Sequence, residues 1–236
     1  MNKRDLKIFY GNFNLFLYIF SSIWAIGLVF LLLNGYINSF LLLNRFHFNF
    51  ADLPILLLTN LADGGFMAFL FIFLFIKKQP LQLIMILLTI IISGILAQIF
   101  KNYFFSDWHR PPYLLSEKVH TIGKYILNHH SFPSGHSTSI AAMFTMLAYY
   151  RSRFKSEIIL YAVLCPFIAY TRIYLGVHFL GDVIAGLALG TITSLLLIIL
   201  IKPFKIQFNS KIILLLRTIS IIGAIIFIYI FLKKYL

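Results

Sequence analysis

The chain has 236 residues, of which 61% are hydrophobic and only 11% are charged, and its mean hydropathy is +0.92. This composition excludes a soluble globular domain and indicates a polytopic membrane protein whose spans are helices. The net charge of +13 comes from short basic clusters between apolar runs. This pattern excludes a long basic stripe of the kind that binds nucleic acid and is typical of loop charges that set membrane topology.

The first predicted span runs from about Leu15 to Leu33 and is interpreted as a retained span, because no small-residue cleavage site follows it. The Phe- and Leu-rich stretch 35–53 is broken by polar residues and is interpreted as interfacial or partly re-entrant. The second predicted span runs from about Pro54 to Ile76. It contains Asn60 and Asp63, which we expect to face the bundle interior or the water boundary, as candidates for a substrate pocket.

Five further spans complete an expected all-α bundle in a single domain over residues 1–236. They run over about 81–100, from the PSGH turn at Pro133 to Tyr150, 158–174, 182–201 and 212–232. A polar connection of about 35 residues separates the third span from the fourth. The single Cys165 lies in an apolar run, which excludes an internal disulfide and indicates a core residue.

The positive-inside rule orients these spans. With the N-terminus inside, eleven cations lie in inner segments: Lys3, Arg4, Lys7, Lys77, Lys78, Arg151, Arg153, Lys155, Lys202, Lys205 and Lys211. Six lie in outer loops: Arg45, Lys101, Arg110, Lys118, Lys124 and Arg172. Lys233 and Lys234 on the outer side count against this orientation. The balance nevertheless predicts a cytosolic N-terminus, and the alternation of spans then brings three polar motifs to the outer face.

The stretch from Thr171 to Asp182, TRIYLGVHFLGD, carries the first of these motifs. His178 and Asp182 are four residues apart, so on a helix they share one face, with the carboxylate in reach of the imidazole. This pattern is typical of a nucleophile and the group that orients it. Taken alone, Asp182 could instead cap the following helix, and Arg172 could extend its charge from a helix end to the interface.

The other two motifs supply phosphate-binding chemistry. Lys101 and Arg110, together with Arg172, are cations suited to phosphate oxygens. Ser134 and Gly135 stand where the fourth span begins, and a helix N-terminus presents free N–H groups to an anion. His136 could protonate a leaving alkoxide and then activate water, so the predicted chemistry needs no metal or other cofactor. We interpret His109, His120, His129 and His130 as interfacial residues.

These stretches resemble the signature of the type-2 phosphatidic acid phosphatase family, membrane lipid phosphatases that share a core with vanadium haloperoxidases. The matching residues are Lys101, Arg110-Pro111, Pro133-Ser134-Gly135-His136, Arg172, His178 and Asp182. The resemblance implies a six-helix core, to which the seventh span would be an addition. It also implies the catalytic and phosphate-binding roles that the two preceding paragraphs assign to these residues. There are two departures from the family pattern. Eight residues lie between Lys101 and Arg110, where the family usually has six, and Thr171 replaces a serine.

The leading hypothesis is an integral-membrane enzyme that removes a phosphate monoester or pyrophosphate end from a lipid on the outer leaflet. The resemblance suggests lipid A, undecaprenyl pyrophosphate or phosphatidylglycerophosphate as substrates, and a bacterial inner membrane with a periplasmic site. One alternative is phosphotransfer through the same phosphohistidine. A second is a transporter or binding protein for anionic lipids, and the weakest is a metal-dependent hydrolase, since the histidines lack a helical ligand pair with a glutamate base.

Overall fold

The computed structural model describes residues 3–122, 128–151, 154–201 and 206–235, and all the regular structure in them is helical. The α-helices are α1 (Lys3–Asn34), α2 (Tyr36–Asn44), α3 (Asn49–Leu58), α4 (Gly64–Phe75), α5 (Pro80–Ile99), α6 (Pro111–Leu115), α7 (Gly135–Arg151), α8 (Lys155–Tyr174), α9 (Leu180–Leu200) and α10 (Ser210–Tyr235). Shorter helical turns lie at Thr59–Ala62, Phe100–Phe104 and Ser116–Lys118. The all-α membrane bundle expected from composition is confirmed.

Within the described ranges, five helices are long and apolar enough to cross a membrane: 11–34, 80–104, 155–174, 180–200 and 210–233. A sixth span is formed if the bent pair 49–62 and 64–75 is taken together. The predicted fourth span is α7, which has only 17 residues and would be about 25 Å long. All its residues from Ile140 to Ala148 are buried, because neighbouring helices surround it.

The prediction of one continuous second span was wrong in one respect, since α3 and α4 meet at 70°. The backbone of Asp63 is extended at φ −78° and ψ 117°. Its Oδ1 accepts the N–H groups of Gly65 at 2.9 Å and Phe66 at 3.0 Å. A side-chain cap of this kind starts a new helix in a new direction, and that is why the span bends here.

Two glycines of α9 bring this helix against the central α7. A Cβ added at Gly186 would lie 2.5 Å from the carbonyl oxygen of Ser134, and one at Gly190 would lie 2.8 Å from the amide nitrogen of Ala142. Small residues at helix contacts allow backbones to approach closely inside a membrane. This contact positions the PSGH turn beside the start of α9.

The stretch 35–53, predicted to be interfacial, forms α2 and the beginning of α3. Phe40 and Asn44 of α2 are buried, and the Asn44 amide donates to the carbonyl of Ile173 at 2.8 Å. The stretch therefore packs onto the end of α8, where it can contribute to a site. Four loop cations that entered the orientation prediction, Lys124, Arg153, Lys202 and Lys205, lie outside the described residues.

Candidate active site

The structure brings the three motifs together at one end of the bundle. Lys101 lies in the turn after α5, and Arg110 is the residue before α6. Ser134, Gly135 and His136 stand at the entry to α7, and Arg172 at the end of α8. His178 lies between α8 and α9, and Asp182 in the first turn of α9. The Nη1 atom of Arg110 lies 3.3 Å from Nε2 of His178. The predicted site residues thus form one cluster centred on this imidazole.

His178 and Asp182 form a buried pair. The Nδ1 atom of His178 lies 3.1 Å from Oδ2 of Asp182, and the two side chains are 2% and 0% exposed. The same oxygen accepts the Phe179 N–H at 3.0 Å, at the start of α9. Asp182 therefore caps the helix and contacts the imidazole at once. With a proton on Nδ1, this contact leaves the lone pair of Nε2 on the side that faces Arg110.

Two further donors to Asp182 were missed by sequence reasoning. The hydroxyl groups of Tyr36 and Ser131 donate to Oδ1 and Oδ2, respectively. Burial beside this carboxylate raises the pKa of Tyr36 above its usual value, so the phenol remains a donor. Tyr36 stands 146 residues before Asp182, and no local spacing could have connected them. Ser131 lies two residues before the PSGH turn and belongs to none of the motifs identified in the sequence.

Three cations surround the pair, and all are buried: Lys101 is 7% exposed, Arg110 6% and Arg172 8%. Asp182 is the one acidic side chain that is buried in the part of the chain that the structure describes. Buried charges of one sign are costly without counter-charge, so a site with this balance favours an anionic ligand. Lys101 lies in a π-helical turn, Phe100–Phe104, which follows α5.

Backbone carbonyls and a threonine fix the two arginines. Arg110 donates from Nε to the carbonyl of His129 at 3.0 Å and from Nη1 to that of Val177 at 3.1 Å. Arg172 donates from Nη1 to the hydroxyl of Thr59 at 2.9 Å. Sequence reasoning missed Thr59, because it lies 113 residues from Arg172 and belongs to no motif.

Charge and burial also determine the ionisation of His178. Burial, followed by the positive charges of Arg110, Lys101 and Arg172, lowers the pKa of His178 well below its usual value of 6.5. The imidazole is therefore neutral at physiological pH. A neutral imidazole keeps the free lone pair that a nucleophile needs.

The PSGH turn offers hydrogen-bond donors to the same space. The Oγ of Ser134 accepts the Ser137 N–H at 3.3 Å and the Ser137 hydroxyl at 2.9 Å, which leaves its own hydroxyl proton available as a donor. A Cβ built at Gly135 would meet no protein atom within 4 Å, so the main chain there is open to an approaching group. Both features suit phosphate binding at the start of α7.

His136 faces a small cavity beside this cluster. The cavity measures about 180 Å³ and is lined by Thr59, Asn60, Asp63, His136, Arg172, Phe227, Ile230 and Phe231. Oδ2 of Asp63 lies 3.9 Å from Nε2 of His136. The two residues predicted to shape a substrate pocket, Asn60 and Asp63, therefore line this cavity. Residues of α10 form its apolar wall, and the sequence offered no sign of that.

His129 contributes its backbone carbonyl to Arg110, whereas His120 and His130 make contacts through their rings. His120 pairs with Asp52 at 3.3 Å between Nε2 and Oδ1, and His130 contacts the carbonyl of Lys101 through Nδ1 at 3.3 Å. Among the residues that the structure describes, no three His, Cys, Asp or Glu side chains are grouped as metal ligands.

Several curated proteins and solved structures are similar to this chain. The chain is 32% identical over 137 residues to a lipid A 4'-phosphatase from Porphyromonas gingivalis, covering 54% of this chain and 55% of that protein. It is 39% identical over 82 residues to phosphatidylglycerophosphatase B from Bacillus subtilis, covering 31% and 38%. The matches thus span about half or less of these relatives.

The crystal structure of LpxE from Aquifex aeolicus aligns with a TM-score of 0.57 at 30% identity, covering 68% of this chain and 93% of that one. A transmembrane PAP2-type phosphatidylglycerolphosphate phosphatase from Bacillus subtilis aligns with a TM-score of 0.55 at 20% identity, covering 84% and 100%, and shows a shared fold. The family model of the PAP2 superfamily matches residues 82–207, which is more than half of the sequence. This chain therefore belongs to the PAP2 superfamily.

Proposed function

We propose that the protein is a membrane lipid phosphatase that hydrolyses a phosphate monoester or pyrophosphate of a lipid through a phosphohistidine. The observation that carries this proposal is the arrangement around Nε2 of His178. The imidazole is neutral and buried, its Nδ1 contacts Asp182 at 3.1 Å, and three buried cations surround it. The family and its lipid phosphatase members support the same chemistry.

In the first step, Nε2 of His178 attacks phosphorus, and the bond from phosphorus to the leaving oxygen breaks. Lys101, Arg110 and Arg172 hold the nonbridging oxygens and offset the charge that spreads over them in the transition state. Asp182 keeps the proton on Nδ1 and stabilises the imidazole as it becomes positive. The hydroxyl of Ser134 and the amide of Gly135 add neutral donors to the same oxygens.

His136 moves the protons. In its charged form it gives a proton to the leaving oxygen, so that the lipid departs as an alcohol or a monophosphate. The neutral imidazole then takes a proton from water, which attacks the phosphohistidine and releases inorganic phosphate with His178 restored. Asp63, with its Oδ2 3.9 Å from Nε2 of His136, stabilises the charged form.

The proposed substrate is a lipid phosphate, with lipid A, undecaprenyl pyrophosphate and phosphatidylglycerophosphate as candidates. The relatives named as lipid A and phosphatidylglycerophosphate phosphatases support two of these. We place the site on the periplasmic face of a bacterial inner membrane and the N-terminus in the cytosol. Supporting this orientation, the turn with Lys77 and Lys78 and the helix ends at Arg151 and Lys155 lie at the end of the bundle opposite the site.

The test is phosphate release by purified protein in detergent with EDTA present, from phosphatidic acid, phosphatidylglycerophosphate, undecaprenyl pyrophosphate and lipid A. We expect release from at least one lipid, lost in His178→Ala and kept in the control His120→Gln, which alters a different histidine–aspartate pair. Quenching of wild type with labelled substrate in alkaline SDS should trap a base-stable, acid-labile phosphoenzyme.

Two alternatives give different results in the same assay. A phosphotransferase would release little phosphate until an acceptor lipid is added, and turnover would then follow acceptor concentration. A lipid transporter or binding protein would bind the lipids through its cations without any release, and His178→Ala would keep its full biological activity.

A further inference from the structure

A second polar pocket, of about 350 Å³, lies at the end of the bundle opposite the catalytic cluster. Its polar lining residues come from the turn before α5, the start of α5, the end of α7 and the segment before α10: Lys78, Gln79, Gln82, Tyr150 and Gln207. Helix α5 has 20 residues and would be about 30 Å long, and Lys101 follows its other end. The pocket is therefore separate from the catalytic cluster by about one helix length.

Two glutamine side chains in this pocket carry polar atoms without a partner in the part of the chain that the structure describes. Gln82 is only 5% exposed, and its Nε2 is buried without a hydrogen-bond acceptor. The Oε1 of Gln79 is buried without a donor. An unpaired buried polar atom costs free energy, so such atoms are usually paired by protein, water or a ligand. The start of α5 thus offers one donor and one acceptor to a molecule in the pocket.

The same end of α5 attracts negative charge. Gln79 is the N-cap residue, but its side chain does not cap the helix, and Pro80 stands in the first turn. The N–H groups at the start of a helix have no acceptor within it, and they favour an anion. Lys78 is exposed and adds a full positive charge beside them. No acidic side chain is among the described residues that line the pocket, which therefore favours an anionic ligand.

These groups fit a phosphodiester whose head group also carries a hydroxyl. Phosphate oxygens accept hydrogen bonds from the ammonium group of Lys78 and from Nε2 of Gln82. The Oε1 of Gln79 needs a donor, which an ionised phosphodiester lacks and a neighbouring hydroxyl supplies. Apolar side chains, those of Leu81 and Ile206 among them, line the same pocket and suit the first carbons of a lipid.

The position of the pocket along α5 favours a lipid over a soluble ligand. The length of α5 matches a hydrocarbon core of about 30 Å, so a helix with one end at the catalytic face has its other end at the opposite membrane surface. Basic pockets between helices at a cytosolic surface bind anionic head groups. Lys77 is a second exposed cation beside Lys78, whereas the nearby Arg151 pairs with Glu157 at 3.3 Å.

We propose that the pocket at the start of α5 binds the phosphate of an anionic phospholipid whose head group bears a hydroxyl, as in phosphatidylglycerol. Gln82 donates to a phosphate oxygen, Lys78 offsets its charge, and Gln79 accepts from the hydroxyl. The lipid lies in the leaflet opposite the catalytic cluster, which is the cytosolic leaflet in the orientation proposed above. It is a bound partner of the protein and does not reach His178.

The first test is native mass spectrometry of the full chain in detergent with three dimyristoyl lipids. Phosphatidylethanol has the charge of phosphatidylglycerol without its hydroxyls, and phosphatidylcholine has no net charge. We expect one phosphatidylglycerol to bind with a Kd about fivefold below that of phosphatidylethanol and about tenfold below that of phosphatidylcholine. Lys78→Gln should raise the Kd for phosphatidylglycerol by about fivefold. The control Lys77→Gln alters an adjacent exposed cation that does not line the pocket and should change that Kd by less than about twofold.

The second test separates a ligand contact from a structural role of Gln82. Gln82→Leu removes an unpaired buried donor, so the Tm in lipid-free detergent should stay the same or rise. Phosphatidylglycerol should raise the Tm of the wild type by mass action and leave that of the variant unchanged. A variant that keeps the full lipid-induced rise would show that Gln82 does not contact the lipid. If Gln82→Leu does not fold, the exposed Lys78→Gln gives the same comparison.

Three results would overturn this lipid site. Equal Kd values for phosphatidylglycerol and phosphatidylcholine would identify ordinary lipid of the detergent belt. Equal effects of Lys77→Gln and Lys78→Gln would identify general surface charge. Water-soluble glycerophosphoglycerol that binds as tightly as the lipid, and with the same dependence on Lys78, would assign the pocket to a soluble phosphodiester. None of these measurements uses phosphate release, so the pocket and the proposed catalytic function are tested separately.

Discussion

Asp63→Asn removes one charge from the catalytic cavity and leaves the local fold in place. Oδ1 of Asp63 caps α4 by accepting the N–H groups of Gly65 and Phe66, and asparagine is as good a cap as aspartate. Oδ2 lies 3.9 Å from Nε2 of His136. The substitution therefore tests the effect of the carboxylate on the proposed acid without breaking the bend between α3 and α4.

The size of the electrostatic effect of Asp63 on His136 follows from the distance between the two side chains and from their exposure to solvent. Two unit charges at the 3.9 Å separation of Asp63 and His136 interact by about 1 kcal/mol in water and about 4 kcal/mol at an effective dielectric constant of 20. Because these side chains are 30% and 32% exposed, solvent screening favours the lower part of that range. The carboxylate therefore stabilises the charged imidazole by about 1 kcal/mol or less.

The direction of the change in the pH profile follows from the role of His136 as the proposed acid. The Asp63 carboxylate favours the charged imidazole, so in Asp63→Asn the imidazole loses its proton at lower pH. The first step of the reaction needs that proton. Arg172 and His178, which also act electrostatically near His136, are unchanged in the variant. We expect the alkaline limb of kcat against pH to move to lower pH.

The assay is phosphate release at saturating substrate between pH 5 and 10, with Asp52→Asn as the control. Asp52 also lies beside a histidine, with its Oδ1 3.3 Å from Nε2 of His120, but it is outside the catalytic cluster. An alkaline limb that stays in place in Asp63→Asn, or that moves equally in Asp52→Asn, would refute the reasoning. A uniform fall at every pH would assign Asp63 a structural role only.

Three further outcomes are expected. Tyr36→Phe removes a charge-assisted hydrogen bond to Asp182 worth about 1.5 to 3 kcal/mol. We therefore expect kcat to fall by roughly tenfold or more. A variant with wild-type kcat would show that the bond is dispensable. Gly186→Val would place a Cβ 2.5 Å from the Ser134 carbonyl, and this overpacking should destabilise the protein by about 1 to 3 kcal/mol, seen as a lower Tm in detergent. Because burial and the neighbouring cations lower its pKa, His178 should keep constant imidazole ¹⁵N shifts from pH 8 down to 5.5, whereas titration near 6.5 would contradict the described environment.

Local patterns predicted the cluster well, because its main residues are close in sequence to helix ends. The spacing of four between His178 and Asp182 on one helix face, for example, corresponds to a contact of 3.1 Å. The same reasoning predicted that Asp63 and Asn60 would turn away from lipid, and both line the cavity beside His136.

Contacts between distant segments could not be predicted in this way. Tyr36 and Thr59 lie in apolar stretches that are typical of membrane spans or interfacial segments. Their roles depend on how helices pack across the bundle. The bend at Asp63 depends on a side-chain cap that competes with continuation of the helix. Phe231 of α10 lines the cavity beside His136, and an apolar side chain in an apolar run carries no pattern that identifies its neighbour.

The long separation between Tyr36 and Asp182 has a consequence for biosynthesis. The chain emerges from the ribosome at about 5 to 20 residues per second, so α2 waits on the order of ten seconds for the residue to which Tyr36 donates, 146 positions later. Thr59 waits in the same way for Arg172. The buried polar partners therefore enter the membrane one at a time, and each needs water, lipid head groups or the insertion machinery until α9 arrives. The cluster is completed only in the last quarter of synthesis, when Asp182 has emerged.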